Sequence, residues 1–243
     1  MKPQIIMPEV GIHNADLESA RTRLIQGDSY RDCSTVCIIP TRGGRSLHPR
    51  VVQSWFNLMP PMNQKFARLF ATGMEVGDAY SQTLEQILAN PELSKWKYLL
   101  TMEDDNLPPP DGLLRLLESI QNYDAVGGLY WTKGPGGQPM IYGDPREMPR
   151  NFRPQLVVPD QVQPCNGLGM GFTLFRMKMF KNKNIKWPLF KTRQEWLPGQ
   201  GTANMTQDLA AFQQLAGLGY KFASDNRVKV GHMEVDSEEG LVW

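Results

Sequence analysis

Cysteine is scarce in this chain. Cys33, Cys37 and Cys165 are all it has, and none falls in a C-x-x-C pair, so neither a disulfide framework nor a cysteine-built zinc site is indicated. An excess of either charge is also missing, since 26 Lys and Arg stand against 25 Asp and Glu. No global field then draws the chain to nucleic acid or to an anionic membrane, and any recognition of phosphate has to be local. Long apolar runs are absent too, none approaching the roughly 18 residues of a membrane span. The opening Met-Lys-Pro-Gln-Ile-Ile-Met-Pro-Glu lacks the apolar stretch of a secretory signal, and the expectation is a soluble, cytoplasmic protein. No G-K-[ST] phosphate loop occurs. The glycines of Asn166-Gly167-Leu168-Gly169-Met170-Gly171 lead into an apolar run instead of joining a strand to a helix. That is the wrong setting for a dinucleotide fingerprint, and it suits close backbone packing beside a cleft.

What is present fits one large α/β domain: 243 residues, 41% of them hydrophobic, are enough to bury a single substantial core. Residues 1–32 read as an extension with a short helix from Ala15 to Gln26, capped by Asn14 and closed by Gly27. From Thr35 strands and helices alternate. Thr35 to Ile39 is a buried-strand run stopped by Pro40 and Gly43-Gly44, and Lys65 to Phe70 alternates as a second strand. Glu75 to Leu88 has helical apolar spacing, and Tyr98 to Met102 is a third strand. Pro108-Pro109-Pro110, its last proline suited to a first helical turn, leads into a helix marked by Leu113 to Ile120; Ala125 to Tyr130 is a fourth strand. Residues 131–165, rich in Gly and Pro, suggest hairpins and loops. Farther on, Leu209 to Leu218 has helical spacing, while Tyr220 to Ala223 and Arg227 to Val230 read as paired short strands. Such alternation predicts a mainly parallel sheet wrapped by helices, with ligands bound beyond the carboxyl ends of the strands.

The third strand ends in three consecutive acids, Glu103-Asp104-Asp105. Carboxylates crowded at the end of a buried run repel one another and resist desolvation unless they face water in a cleft or share a cation. Mg²⁺ and Mn²⁺ take oxygen ligands and need only one or two carboxylates when water and a substrate diphosphate complete the shell. A solvated acidic turn ahead of a helix is the plain alternative. Asp208 lies in the first turn of a helix, either as a simple helix-start carboxylate or as a catalytic group. His232, one of three histidines, follows a strand, as a packing residue or as a metal ligand. Trp131, Trp187 and Trp196 lie in or beside loops, where an indole packs or stacks on a sugar or base.

The order of these pieces resembles the GT-A-fold glycosyltransferases, especially the inverting family-2-like group, over roughly Thr35 to His232. The matching pieces are Cys37-Ile38-Ile39-Pro40-Thr41, Leu99 to Asn106 with its acidic D-x-D-type ending, Gly169 to Arg176, Trp187-Pro188-Leu189-Phe190, Gln207-Asp208 and Gly231-His232. This resemblance implies an α/β fold of the GT-A (nucleotide-diphospho-sugar transferase) type, a Rossmann-like mixed central sheet with helices on both faces. Residues 33–243 would form that domain, with 33–130 as the nucleotide-donor half and 131–243 as the acceptor half. The implied activity moves a sugar from a nucleotide diphosphate-sugar, UDP-based by preference, to a glycan or other hydroxyl acceptor with Mn²⁺ or Mg²⁺ and inversion. Carried over by position, Asp105 and His232 hold the cation and Asp208 is the base. Pro40, Thr41, Arg42, Asp78, Glu103 and Asp104 contact the donor. Gly169 and Trp196 fall on the acceptor side, where the stretch from Trp196 to Asn204 suits a mobile lid.

Three positions depart from that pattern. Glu103 replaces the usual first Asp, Gln207 replaces the acid that commonly precedes the base, and Ala79-Tyr80-Ser81 stands where the family often has Ala-Arg-Asn. The last change removes a cation from the donor side, for which Arg42, Arg45 and Lys133 are the candidate substitutes. Two other readings are a sugar nucleotidyltransferase on a related fold, and a glycan- or nucleotide-binding module without catalysis.

Overall fold

The structure, a computed structural model, describes residues 4–6, 31–43, 47–197, 201–234 and 241–243, apart from the side chains of 4–6 and 195–203. The helix expected from Ala15 to Gln26 lies outside the described residues, as do Gly44 and Arg45. Strands β1 (Gln4–Ile6), β2 (Thr35–Thr41), β3 (Phe66–Thr72), β4 (Tyr98–Met102), β5 (Asn106–Leu107), β6 (Ala125–Leu129) and β7 (Ile141–Tyr142) come from the first part of the chain. Then follow β8 (Val162–Cys165), β9 (Gly167–Leu168), β10 (Phe172–Arg176), β11 (Arg193–Leu197), β12 (Gly201–Met205), β13 (Phe222–Lys229) and β14 (Gly231–His232). The four α-helices described are α1 (Pro49–Asn57), α2 (Val76–Ala89), α3 (Gly112–Ser119) and α4 (Gln207–Gly217).

An eight-stranded mixed sheet is the spine, in the order β1-β3-β2-β4-β10-β6-β13-β8. Strands β2, β3, β4, β6 and β13 run in one direction, while β1, β10 and β8 run against them. This is the expected α/β, GT-A-type arrangement, with helices on both faces. Alternation along the strands builds it, because successive side chains point to opposite sides. Val36 and Ile38 of β2 join Tyr80, Leu84 and Ile87 of α2 and Phe212 and Leu215 of α4 in one core. Cys37 and Ile39 join Val51 and Trp55 of α1 and Leu113, Leu116 and Leu117 of α3 in the other. The helical residues recur at three- and four-residue intervals, so each helix turns one apolar stripe to the sheet. Each fully buried Leu or Phe contributes about 1.5–3 kcal/mol relative to exposure. All three cysteines are buried free thiols.

Several expectations are corrected. Pro110 precedes the helix it was expected to enter, because α3 begins at Gly112 after its N-cap Asp111. The two short strands expected at 220–223 and 227–230 are one strand, β13, paired to both β6 and β8. Asp225-Asn226 reads as a turn, yet its polar groups are satisfied inside. Asp225 accepts hydrogen bonds from Ser119 Oγ at 2.6 Å and Arg227 Nη2 at 2.7 Å, and Asn226 Nδ2 donates to Val158 O at 2.8 Å. Helix α1 was not among the expected elements. Its signals are slight: Pro49 in the first turn, a cap in which His48 Nδ1 accepts from Arg50 N, and two buried residues a turn apart. The extension also reaches the sheet, β1 pairing antiparallel to β3 with Gln4 opposite Thr72. No helix among the described residues is long and apolar enough to cross a membrane.

Candidate functional site

Because β2, β4, β6 and β13 point the same way, whatever follows each of them lies on one edge of the sheet. That edge receives Thr41 after β2, Glu103 to Asp105 after β4, Tyr130 to Lys133 after β6 and His232 after β13. Strand β10 runs oppositely, so Gly169 and Gly171, which precede it, arrive at the same edge. A cleft of about 440 Å³ opens there, lined by Pro40, Thr41, Arg42, Glu103, Asp104 and Asp105, together with Met74, Glu75 and Val76. The last three were not expected. They form the turn after β3, and the parallel pairing of β3 with β2 carries that turn to the same edge. Glu75 Oε2 caps α2 there, accepting from Gly77 N at 2.7 Å and Asp78 N at 3.2 Å. Asp78 itself is exposed on the first turn of α2, outside the residues that line the cleft.

A short backbone ladder and one further backbone hydrogen bond hold the metal-ligand candidates together. Strands β14 and β5 pair with His232 opposite Asn106, and Met233 N donates to Asp105 O at 2.7 Å. His232 Nε2 then lies 3.6 Å from Asp105 Oδ2, while Nδ1 is 2.7 Å from the carbonyl of Trp131. A carbonyl only accepts, so Nδ1 carries a proton, and Nε2 is the nitrogen that faces the carboxylate. An imidazole fixed through its other nitrogen by a backbone carbonyl is the usual support for a metal ligand. Asp105 Oδ1 is also buried without a hydrogen-bond partner. Burial acts to raise the Asp105 pKa, but His232 and Lys133 outweigh it and hold the carboxyl below its ordinary value. Among the described residues no group of three or more His, Cys, Asp and Glu is gathered as a metal cluster. An ion held by Asp105 and His232 alone would have to take the rest of its shell from water and a substrate diphosphate.

Glu103 and Tyr80, two of the positions that depart from the family pattern, meet: the Tyr80 hydroxyl donates to Glu103 Oε1 at 3.3 Å. Burial, then the charges of Asp105, Asp208 and Asp104, push Glu103 up to about 8 against the smaller opposing effect of Tyr80. Near neutral pH its carboxyl is mostly protonated and can donate a hydrogen bond to a ligand hydroxyl. Folding favours the protonated form, so this contribution to stability is complete below the ordinary carboxylate pKa and is lost as pH rises through about 8. Glu103→Gln, neutral at every pH, is accordingly expected to melt with the parent near pH 4 in chelator and several degrees above it at pH 9. Equal melting temperatures at pH 9 would remove the basis for a neutral Glu103.

Asp208 is buried in the first turn of α4. Its Oδ1 accepts from Leu209 N at 2.8 Å and from the Thr206 hydroxyl. Burial raises its pKa, with Thr206 and the backbone amides pulling the other way. Burial thus supplies the elevation that an acidic neighbour in place of Gln207 would have given. Asp208 is near enough for its charge to act on Glu103, Tyr130 and Tyr142.

Gly169 serves close packing, as its neighbours require. The Tyr130 hydroxyl sits over it and accepts from Gly171 N at 2.8 Å, and Tyr130 packs edge-on against His232 with ring centroids 5.5 Å apart. Trp196 lies in β11, which pairs with β12 as a separate two-stranded hairpin with Trp196 opposite Thr202. Its side chain and residues 198–200 lie outside the described residues.

No protein-family model matches the chain, and no curated protein is similar to it in sequence. Among solved structures it is similar to A197 from STIV, with 18% identity and a TM-score of 0.55 over 82% of this chain and 85% of that one. It is also similar to S. aureus TarS 1–349, with 12% identity and a TM-score of 0.43 over 79% of this chain and 57% of that one. The first likeness speaks to the fold alone, and the second is too slight to carry an argument.

Proposed function

We propose that the chain is a glycosyltransferase that moves a sugar from a nucleotide diphosphate donor, UDP-based by preference, to a glycan or other hydroxyl acceptor with inversion. What supports this above all is the gathering, at the carboxyl edge of one sheet, of the cleft beside Thr41 and the acidic triplet, with the buried Asp208 outside the cleft lining but near enough for its charge to act on Glu103. In this reading Thr41, Arg42 and Asp104 lie against the nucleotide, and protonated Glu103 donates to a ribose or sugar hydroxyl. Asp208 takes the proton from the acceptor hydroxyl as its oxygen bonds to the anomeric carbon. The bond from that carbon to the diphosphate breaks in the same step, and the nucleotide diphosphate leaves with the electron pair. Asp105 and His232 would hold Mn²⁺ or Mg²⁺, which when bound supplies positive charge for the departing diphosphate.

The test incubates the protein with a panel of nucleotide sugars, with and without Mn²⁺, and follows nucleotide release and thermal stabilisation. Release accelerated by a hydroxyl acceptor is the expected result. Pyrophosphate exchange without transfer would mean a nucleotidyltransferase, and stabilisation with no turnover across the panel would mean a binding module.

A further inference from the structure

Resting on the transferase reading, we propose that Lys133 is the cationic contact for the donor diphosphate, and that without donor it stands on Asp105 in competition with the divalent ion. Among the described residues that line the cleft Arg42 is the one cation, and it is exposed. Lys133 is delivered from elsewhere. The segment from Tyr130 to Met140 is a tight hairpin. Met140 N donates to Tyr130 O at 2.9 Å, Trp131 bridges Pro139, and Thr132 N donates to Gln138 O at 2.9 Å. The turn closes with Gly137 N donating to Gly134 O at 3.1 Å. Since this hairpin leaves the end of β6, it overhangs the acidic triplet and brings Lys133 Nζ to 2.5 Å from Asp105 Oδ2.

That contact has two consequences. First, the ammonium already neutralises Oδ2, the same oxygen that His232 Nε2 approaches, so an ion entering between them must dislodge it. Second, a dislodged ammonium beside a divalent ion is repelled unless an anion joins them, and a diphosphate carries enough charge to satisfy both. Lysine suits the exchange, being a compact charge on a flexible stem with three donors that reorient freely. The free protein therefore disfavours the ion alone and accepts ion and diphosphate together.

Full-length parent, Lys133→Met and Lys133→Arg are to be compared, with Mn²⁺ binding in the absence of nucleotide followed by electron paramagnetic resonance. UDP binding is measured by calorimetry, once with Mn²⁺ and once in EDTA. If Lys133 occupies Asp105 for about nine-tenths of the time, Lys133→Met binds Mn²⁺ about tenfold more tightly than the parent. The same variant is expected to bind UDP about tenfold more weakly in both media, while Lys133→Arg, which keeps the charge but not the compact ammonium, recovers part of that affinity. UDP binding that is indifferent to Lys133→Met overturns the diphosphate role, and unchanged or weakened Mn²⁺ binding overturns the competition. A parent that binds no UDP in either medium overturns the transferase reading itself, which separates that failure from a failure of the Lys133 assignment.

Discussion

Asp208→Asn is expected to slow sugar transfer by about 10²–10⁴-fold, the usual contribution of a positioned general base. Donor binding and melting temperature are expected to stay near those of the parent. The two expectations separate because the substitution is nearly isosteric. An Asn Oδ1 still accepts from Leu209 N and the Thr206 hydroxyl, the contacts that hold this side chain in the first turn of α4. What is lost is the second oxygen, the one that would receive the acceptor's proton, since an amide nitrogen has no basic lone pair to offer. A secondary sign can be read from pH. The charge of Asp208 is one of those that lift Glu103, so its removal lowers the Glu103 pKa toward the ordinary range. Initial rates with a donor identified from the panel, alongside nucleotide titration, decide the matter. A variant within tenfold of the parent rate would rule out Asp208 as the base.

Gly169→Ala is the other large effect, and it is one of space alone. A Cβ on Gly169 would stand 2.0 Å from the Tyr130 hydroxyl and 2.8 Å from both Tyr130 Cζ and Met140 Cε, closer than carbon and oxygen atoms can sit. The Tyr130 ring has to move, and it is fully buried between the Gly171 amide and the edge of His232. Overpacking of this kind costs about 3 kcal/mol, near the upper end of its usual range. In a chain of this size that lowers the melting temperature by about 6–12 °C. Tyr130→Phe in the same chain removes the closest clash but leaves both 2.8 Å ones, so the double variant should recover part of the loss and not all of it. A Gly169→Ala protein melting within a degree of the parent would mean that the backbone at 169 yields freely.

The layered α/β character and the sheet edge that carries the site were legible because they rest on strong local signals. Thr35 to Ile39 and Tyr98 to Met102 are apolar runs of strand length that end in residues unfit for burial, and both strands are central to the sheet. The Glu75 to Leu88 spacing located α2 to within a residue. Other features were hidden for physical reasons. Asp225-Asn226 imitates a turn, since nothing local shows that Ser119, Gln163 and Val158 will satisfy those groups inside the molecule. The turn at Met74 to Val76 is silent by composition and becomes part of the cleft only once β3 is placed beside β2. Lys133 was visible as a possible donor contact, but its approach to Asp105 depends on a hairpin whose direction no side-chain pattern encodes. Tyr80 was legible as part of the apolar face of α2 and as a departure from a family pattern, but not its hydrogen bond to Glu103, which joins two such departures.

Strand β10 also bears on how the chain reaches its native state. Strands β4 and β6 are close in sequence but never touch, because β10 lies between them and pairs with both. During synthesis residues 33–130 emerge first, and until Phe172–Arg176 has been made, β4 and β6 each present an open strand edge. Sheets completed by so late a strand fold slowly, and their exposed edges invite pairing with other chains in the interval. A fragment stopped at residue 130 is therefore expected to aggregate, and adding residues 131–176 in trans should suppress that aggregation by closing the seam.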